Sequence, residues 1–168
     1  MGKNKLGKNE ENMDKDAILS ADRKYRYVLT RIWDEAKPTV LFIGLNPSTA
    51  DEETDDQTIR KCIGYAKRWG YGKLIMVNLF AFRSTDPSLL KRVEDPVGPD
   101  NDSYIQKYIS ESDLVIACWG NQTKLLNRDK NKNLMDMVPN LFCLQRNKNG
   151  TPHHPLYLSK DITPVPYN

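Results

Sequence analysis

The pattern of apolar positions predicts alternating strands and helices from residue 39 onward. Four runs are apolar almost throughout and have the length of single strands, at residues 39–45, 73–80, 113–120 and 140–146. The first intervening segment, residues 55–70, places its apolar side chains at helical spacing on one face. Apolar strands separated by amphipathic helices are typical of a parallel sheet covered on both faces. We therefore expect a three-layer αβα sandwich around a central, mostly parallel, four-stranded sheet.

Smaller elements complete this pattern. Helices are predicted around residues 104–109 and over residues 121–138. Asp55 or Asp56 can cap the first predicted helix, because a carboxylate at that position accepts from free backbone N–H groups. Side chains alternate in residues 24–34 with one slip, which favours one or two short antiparallel strands.

Composition indicates an ordinary globular protein with one domain. Residues 1–16 contain too few large apolar side chains to order themselves, so we expect a disordered or peripheral segment there and a single domain over residues 17–168. The net charge of +3 permits contact with a polyanion without requiring it. The sequence shows neither a signal peptide nor an apolar run near the ~18 residues of a membrane span. We expect a cytoplasmic location and no membrane partner.

Motifs for common cofactors and metals are missing from the sequence. No P-loop, GxGxxG or GxSxG pattern follows a predicted strand. Cys62, Cys118 and Cys143 are widely spaced and favour buried apolar side chains rather than a metal site. We therefore expect no metal and no cofactor.

Polar loops follow all four predicted strands, at the ends where parallel sheets bind ligands. These loops are rich in amides, hydroxyls, glycine or histidine, and they cover residues 44–49, 78–87, 119–122 and 153–158. Because the carboxyl ends of parallel strands meet at one edge of a sheet, we expect the four loops to form one site.

Four short motifs in these loops, in chain order, resemble those of the uracil-DNA glycosylase superfamily. They are FIGLNPS at 42–48, MVNLFAFRSTDP at 76–87, VIACWGNQTK at 115–124 and HPLYLS at 154–159. From about residue 20 to its end, the chain is also identified as a member of the DUF1643 family, on its elements LNPSTAD, DDQTIR, NLF, GPDND and HPLY. The resemblance to the glycosylases implies their α/β fold and hydrolysis of an N-glycosidic bond.

The resemblance also implies catalytic roles for individual residues. Asn46 takes the position of the residue that places the attacking water, and the nearby Asp51 is an alternative source of a carboxylate. His154 takes the position of the histidine that donates to the base oxygen as negative charge develops. Without the resemblance, Asn46 reads as a turn amide bonded to its own backbone and His154 as a solvated loop histidine.

Further residues of these loops are candidates for substrate binding. Asn78 offers a donor and an acceptor to the edge of a base, or else ties neighbouring loops together. Phe80 is a candidate to stack on a base, and Gly44 lets the backbone approach a ligand. The remaining predicted contacts are Pro47, Ser48, Thr49, Gly120 and Asn121 around the substrate, Arg83 and Lys124 at phosphates, and Leu158 as a wedge into a duplex.

These residues favour a DNA glycosylase-like hydrolase that removes an unusual or modified base. The DUF1643 resemblance connects such an activity with phage–host conflict. DNA is the expected partner, and a protein partner is left open. Two alternatives remain: a non-catalytic protein of the same fold that binds a nucleotide, nucleic acid or protein, and a hydrolase of free nucleosides or nucleotides.

Overall fold

The computed structural model describes residues 12–122 and 138–168, so nearly all of the helix expected over 121–138 lies outside the described residues. Within this part of the chain, seven strands form one mixed sheet in the order β1-β2-β4-β3-β5-β6-β7. The strands are β1 (Asp14–Leu19), β2 (Arg26–Ile32), β3 (Thr39–Gly44), β4 (Lys73–Asn78), β5 (Leu114–Ala117), β6 (Leu141–Cys143) and β7 (Val165–Pro166). The helices described are α1 (Gln57–Arg68), α2 (Asn101–Glu111) and a short 3₁₀ helix (Pro87–Lys91).

The middle of the sheet follows the apolar pattern of the sequence, and its edges depart from it. The neighbouring strands β4, β3, β5 and β6 are parallel. Antiparallel strands extend this group on both sides, with β2 and β1 beyond β4 and β7 beyond β6. The expectation of a four-stranded sheet is therefore wrong in strand number. Edge strands such as β1 expose charged side chains, so they lack the continuous apolar run that marks a buried strand.

β1 and β2 form one edge of the sheet. Residues 24–34 contain β2, which pairs antiparallel with both β1 and β4, so an antiparallel strand in this segment is confirmed. β1 begins at Asp14, which pairs with Ile32. The last residues of the segment expected to be disordered or peripheral therefore belong to this edge strand. Residues 1–11 lie outside the described residues.

The sheet separates two apolar cores, one under each helix. Val40 and Phe42 of β3 belong to the core that includes the buried face of α1. Leu41 and Ile43 belong to the core on the opposite face, together with Ile105 of α2. This alternation is the period of two expected for a strand buried on both sides. The helices thus lie on both faces of the sheet, as the pattern predicted.

A buried arginine and a helix cap fix the loop between β3 and α1. Arg31 of β2 has no exposed area and donates to the Asp55 carboxylate, with Nε 2.8 Å from Oδ1, and to two backbone carbonyls of the same loop. Asp56 caps α1, because its carboxylate accepts from the N–H of Ile59 at 2.9 Å. The predicted cap is confirmed at Asp56. These contacts hold the loop beside the carboxyl ends of the parallel strands.

The remaining features concern the cysteines, the helices as possible membrane spans and the side chains that could bind a metal. All three cysteines are buried and free, as the sequence indicated. Neither α-helix of the described residues has the length and apolar character needed to cross a membrane. Within the same residues, no three His, Cys, Asp or Glu side chains are grouped so that they could hold a metal ion.

Candidate functional site

A cavity of about 320 Å³ opens at the carboxyl ends of β3, β4 and β5. This volume lies within the range of small-molecule sites, roughly 300–1,000 Å³. Of the residues proposed from the sequence, the following line it: Gly44, Asn46, Pro47, Ser48, Asn78, Gly120, Asn121 and His154. The structure thus brings residues from all four predicted loops together at one edge of the sheet.

Asn46 lies on the cavity wall with one end of its amide fixed. Its Nδ2 donates to the carbonyl oxygens of Ser84, at 2.9 Å, and of Pro47, at 3.1 Å. The bond to Ser84 connects the loop after β3 with the loop after β4. Its Oδ1 accepts no hydrogen bond from the described residues and keeps the capacity to bind a water or a ligand donor.

Asn78 ends β4 and pairs with Gly44 at the end of β3. Its side chain is buried, and Nδ2 has no hydrogen-bond partner among the described residues. A Cβ on residue 44 would lie 2.7 Å from Oδ1 of Asn78, so glycine makes room for this amide against the strand. The side chain of Asn101 donates to the Asn78 carbonyl at 2.8 Å and fixes the backbone that carries the amide. A buried donor without an acceptor is costly until a ligand or water completes it.

His154 lies exposed at the mouth of the cavity. Its Nδ1 accepts a hydrogen bond from the backbone N–H of Leu156 at 3.2 Å, so the neutral ring carries its proton on Nε2. Protein atoms around the ring remove part of its hydration, and this, followed by the repulsion from His153, lowers the pKa of His154. Asp56 acts in the opposite sense. The neutral form, with a donor at Nε2, therefore dominates at neutral pH.

Asp51, the candidate carboxylate, and Asp56 lie in the same loop after β3 but have different surroundings. Asp51 does not line the cavity, and its Oδ1 accepts from the backbone N–H groups of Glu53 and Thr54 and from the Thr54 hydroxyl. These bonds, assisted by Arg23, lower the pKa of Asp51 to about 2. Asp56 lines the cavity while one of its oxygens caps α1. The structure thus places Asp56 at the cavity and commits Asp51 to a turn.

Several other residues proposed from the sequence lie outside this cavity. Phe80 is fully buried in the core on the α2 face, and Leu158 packs half-buried against the core on the α1 face. Thr49 and Arg83 line an adjoining shallow groove. Lys124 lies outside the described residues.

Some residues at the cavity were missed by sequence reasoning. Arg26 lines it and is 2% exposed, although its place between Tyr25 and Tyr27 in an alternating segment favoured a solvent-facing side chain. Trp119 also lines it and is 1% exposed. The sequence signal that could have found Arg26 is the apolar continuation Val28–Leu29, which indicates a strand buried on both faces. The other contributors are Leu45, Asp56, Thr58, Ile59, Met76, Ser84, Thr85, Pro87, Cys118, Gln122 and Pro155.

The fold and cavity define an α/β protein with a candidate ligand site at the carboxyl edge of a parallel group of strands. A model of the family described as Protein of unknown function (DUF1643) matches residues 26–156, which is most of the chain, and the protein belongs to this family. Every residue that lines the cavity falls within the matched range. No curated protein and no solved structure matches the chain.

Proposed function

We propose that this protein is a glycosylase-like hydrolase that cleaves the N-glycosidic bond of an unusual or modified base, with DNA as the polymer. The observation that carries the proposal is the meeting of Asn46, Asn78 and His154 in one cavity. These side chains come from three separate segments of the chain. The resemblance to uracil-DNA glycosylases assigns Asn46 to the water, Asn78 to the edge of the base and His154 to the oxygen of the departing base. A fold like that of the glycosylases is part of the same proposal.

The chemistry requires a water on one side of the sugar and a donor to the departing base. Cleavage passes through an oxocarbenium-like sugar while negative charge develops on the base. In the proposed reaction, Oδ1 of Asn46 orients the water, because Nδ2 is already held by two carbonyls. Nε2–H of His154 donates to the base oxygen, and the amide of Asn78 binds the edge of the base.

A carboxylate that assists the water would come from Asp56 in this proposal. Asp51, the alternative considered from the sequence, uses Oδ1 for three hydrogen bonds within its own turn. Asp56 lines the cavity, and only its Oδ1 is engaged in capping α1. Its second oxygen makes no hydrogen bond among the described residues, and we assign it to accept a proton from water.

A second candidate function is binding without catalysis. The observation that favours it is the dual bond of Asn46 Nδ2 to Pro47 and Ser84, which is the geometry of an amide that organises a turn. In that case the cavity would hold a base or nucleotide without cleaving it.

Genomic DNAs that contain normal, uracil-substituted or hypermodified bases would test the proposal. We expect alkali-labile abasic sites after incubation with the wild-type protein, and their loss in Asn46→Ala and His154→Gln. His153→Gln is the matched control, because His153 does not line the cavity, and it should retain activity. If no DNA loses a base while the protein is folded, the hydrolase is excluded for those bases and binding becomes the better account.

A further inference from the structure

Three side chains that line the cavity carry hydrogen-bond donors that the described part of the protein does not itself satisfy. Among the described residues, three buried donor atoms of cavity-lining side chains have no partner: Arg26 Nε, Asn78 Nδ2 and Trp119 Nε1. All three atoms can only donate. Buried donors without acceptors cost free energy, so a ligand that completes them must present acceptors.

Arg26 is the most demanding of the three because it is a buried charge. Its Nη1 donates to the Ala50 carbonyl at 3.1 Å, and no carboxylate of the described residues forms an ion pair with it. Burial lowers the pKa of Arg26 to about 10, partly offset by the more distant charge of Asp56. The guanidinium is therefore cationic at neutral pH. A buried charge that forms no ion pair is expensive, which indicates a partner outside the chain.

The second buried arginine, Arg31, shows how many hydrogen-bond partners this fold provides for an arginine that stabilises it. Arg31 is fully buried and makes five hydrogen bonds, one of them to the carboxylate of Asp55. Its charge and its donors are satisfied within the protein. Arg26 lies five residues earlier on the same strand, makes only one such bond within the described residues and lines the cavity.

We infer that the cavity takes a ligand whose buried end is an oxyanion, a carboxylate or a phosphate, held by the guanidinium of Arg26. Guanidinium groups bind these anions through charge-assisted hydrogen bonds, and Nε of Arg26 is free to donate one. Asn78 and Trp119 supply further donors at the same cavity. This inference rests on the proposed function and narrows it. The substrate is then a base or nucleotide that carries an acidic group on the part that enters the cavity.

Calorimetric titration with matched charged and neutral probes tests the inference. Orotate is compared with uracil, which lacks the carboxylate, and deoxyuridine monophosphate is compared with deoxyuridine, which lacks the phosphate. Inorganic phosphate is titrated alone, in a buffer of low chloride. Arg26→Met removes the charge and keeps an apolar side chain of similar length. Arg68→Met removes an equal charge from the exposed end of α1 and is the matched control.

The inferred site predicts that wild-type protein binds an anionic probe roughly ten- to a hundredfold more tightly than its neutral counterpart, the range expected for one hydrogen-bonded charge pair. Arg26→Met should abolish this preference and Arg68→Met should keep it. A preference for orotate would identify an acidic base, and a preference for the nucleotide or for phosphate would identify a phosphate end. Equal affinities in the wild type, no binding of any anionic probe, or an unchanged preference in Arg26→Met would overturn the inference.

The wild-type comparison can overturn the inference even if Arg26→Met does not fold, because equal affinities within each probe pair would exclude a site for an anion. The assay needs no turnover. Binding of anions without abasic-site formation would therefore exclude the hydrolase for the DNAs tested and keep the oxyanion site. Base release from DNA without any preference for anions would support the hydrolase and reject the oxyanion site.

Discussion

Asp51 stabilises a turn through its ionised side chain, and this role determines its response to substitution and pH. Its pKa of about 2 lies below the ordinary 3.8, so the carboxylate stabilises the fold fully above the ordinary value. That contribution is lost as pH falls through about 2, because the unfolded chain binds the proton first. Asp51→Ala should lower the free energy of unfolding at pH 7 by about 1–2 kcal/mol, the cost of leaving its donors without an acceptor.

Urea unfolding at a series of pH values measures this effect. The difference between wild type and Asp51→Ala should shrink as pH falls from 4 toward 2. Glu53→Ala removes a neighbouring exposed carboxylate and should change stability little. A direct catalytic role for Asp51 would instead appear as lost activity in a variant whose stability equals that of the wild type.

His154 provides a second prediction at the level of one side chain. Its pKa should lie below the ordinary 6.5, because the loss of hydration and the neighbouring His153 both disfavour the cation. Asp56→Asn should lower this pKa further, since it removes the charge that favours the cation while asparagine still caps α1. Proton NMR of the two histidine rings gives both values, and His154→Gln assigns the signals.

Glu53→Gln is the control for the loss of a carboxylate from the same loop, and it should leave the His154 titration nearly unchanged. A midpoint at or above the ordinary value would mean that His154 is cationic through a larger part of the neutral range. Protonation of Nδ1 would then remove the acceptor now used by the Leu156 N–H. A midpoint above neutral pH would rule out the neutral donor assumed in the proposed reaction.

At the scale of elements, the junction between α1 and β4 depends on a glycine packed against another loop. A Cβ on Gly72 would lie 1.8 Å from the backbone oxygen of Asp34, and backbone cannot move aside as a side chain does. Gly72→Ala should therefore destabilise the fold by about 3 kcal/mol. Gly64 lies within α1, and its added Cβ would meet only the flexible end of Arg68.

Gly64→Ala is thus the matched control for Gly72→Ala, and its effect on stability should have the opposite sign. Alanine favours the helical conformation over glycine, so this variant should gain up to about 1 kcal/mol. Thermal and urea unfolding of the two variants beside the wild type measure both effects. Similar destabilisation by both alanines would show that the close approach at Gly72 does not decide the packing of this junction.

The elements also show which parts of the fold the sequence pattern can predict. β3 to β6 are predictable because strands buried on both faces must be apolar throughout, whereas β1 begins with Asp14, Lys15 and Asp16 and exposes them. Loops beyond the parallel strands predict where a site forms. They do not predict which aspartate of the loop after β3 reaches it, because the bonds of Arg31 and the cap at Asp56 set the path of that loop.

The sequence pattern also fails to predict burial that depends on contacts between residues far apart in the sequence. Phe80 follows a strand and reads as a ligand contact, yet its ring fills the core on the α2 face. Arg26 alternates with tyrosines and reads as a surface residue. Its side chain is buried because the loop after β3, a distant segment of the chain, lies against it and accepts from its Nη1 at the Ala50 carbonyl.

For the whole molecule, the two buried arginines of β2 have different roles. Arg31 stabilises the fold, and Arg26 is available to a ligand. Arg31 connects β1, β2 and the loop after β3 through five hydrogen bonds. Arg26 contributes one bond within the protein and carries an unpaired charge beside the cavity. Removal of one partner from a buried, bonded charge typically costs about 3–5 kcal/mol, whereas removal of an unpaired buried charge relieves a desolvation cost.

Arg31→Met should therefore lower the free energy of unfolding by about 3–5 kcal/mol, because it leaves Oδ1 of Asp55 and several buried carbonyls without their donor, and the Asp55 carboxylate keeps only its contact with Lys15 among the described residues. Arg26→Met should stay within about 1 kcal/mol of the wild type or exceed it, since the lost bond to Ala50 is offset by the removed charge. Urea unfolding of both variants without added ligand measures the contrast. Equal and large losses of unfolding free energy would show that Arg26 also stabilises the fold. A large loss in Arg31→Met alone would show that the fold keeps the Arg26 cation at the cavity at a cost in stability.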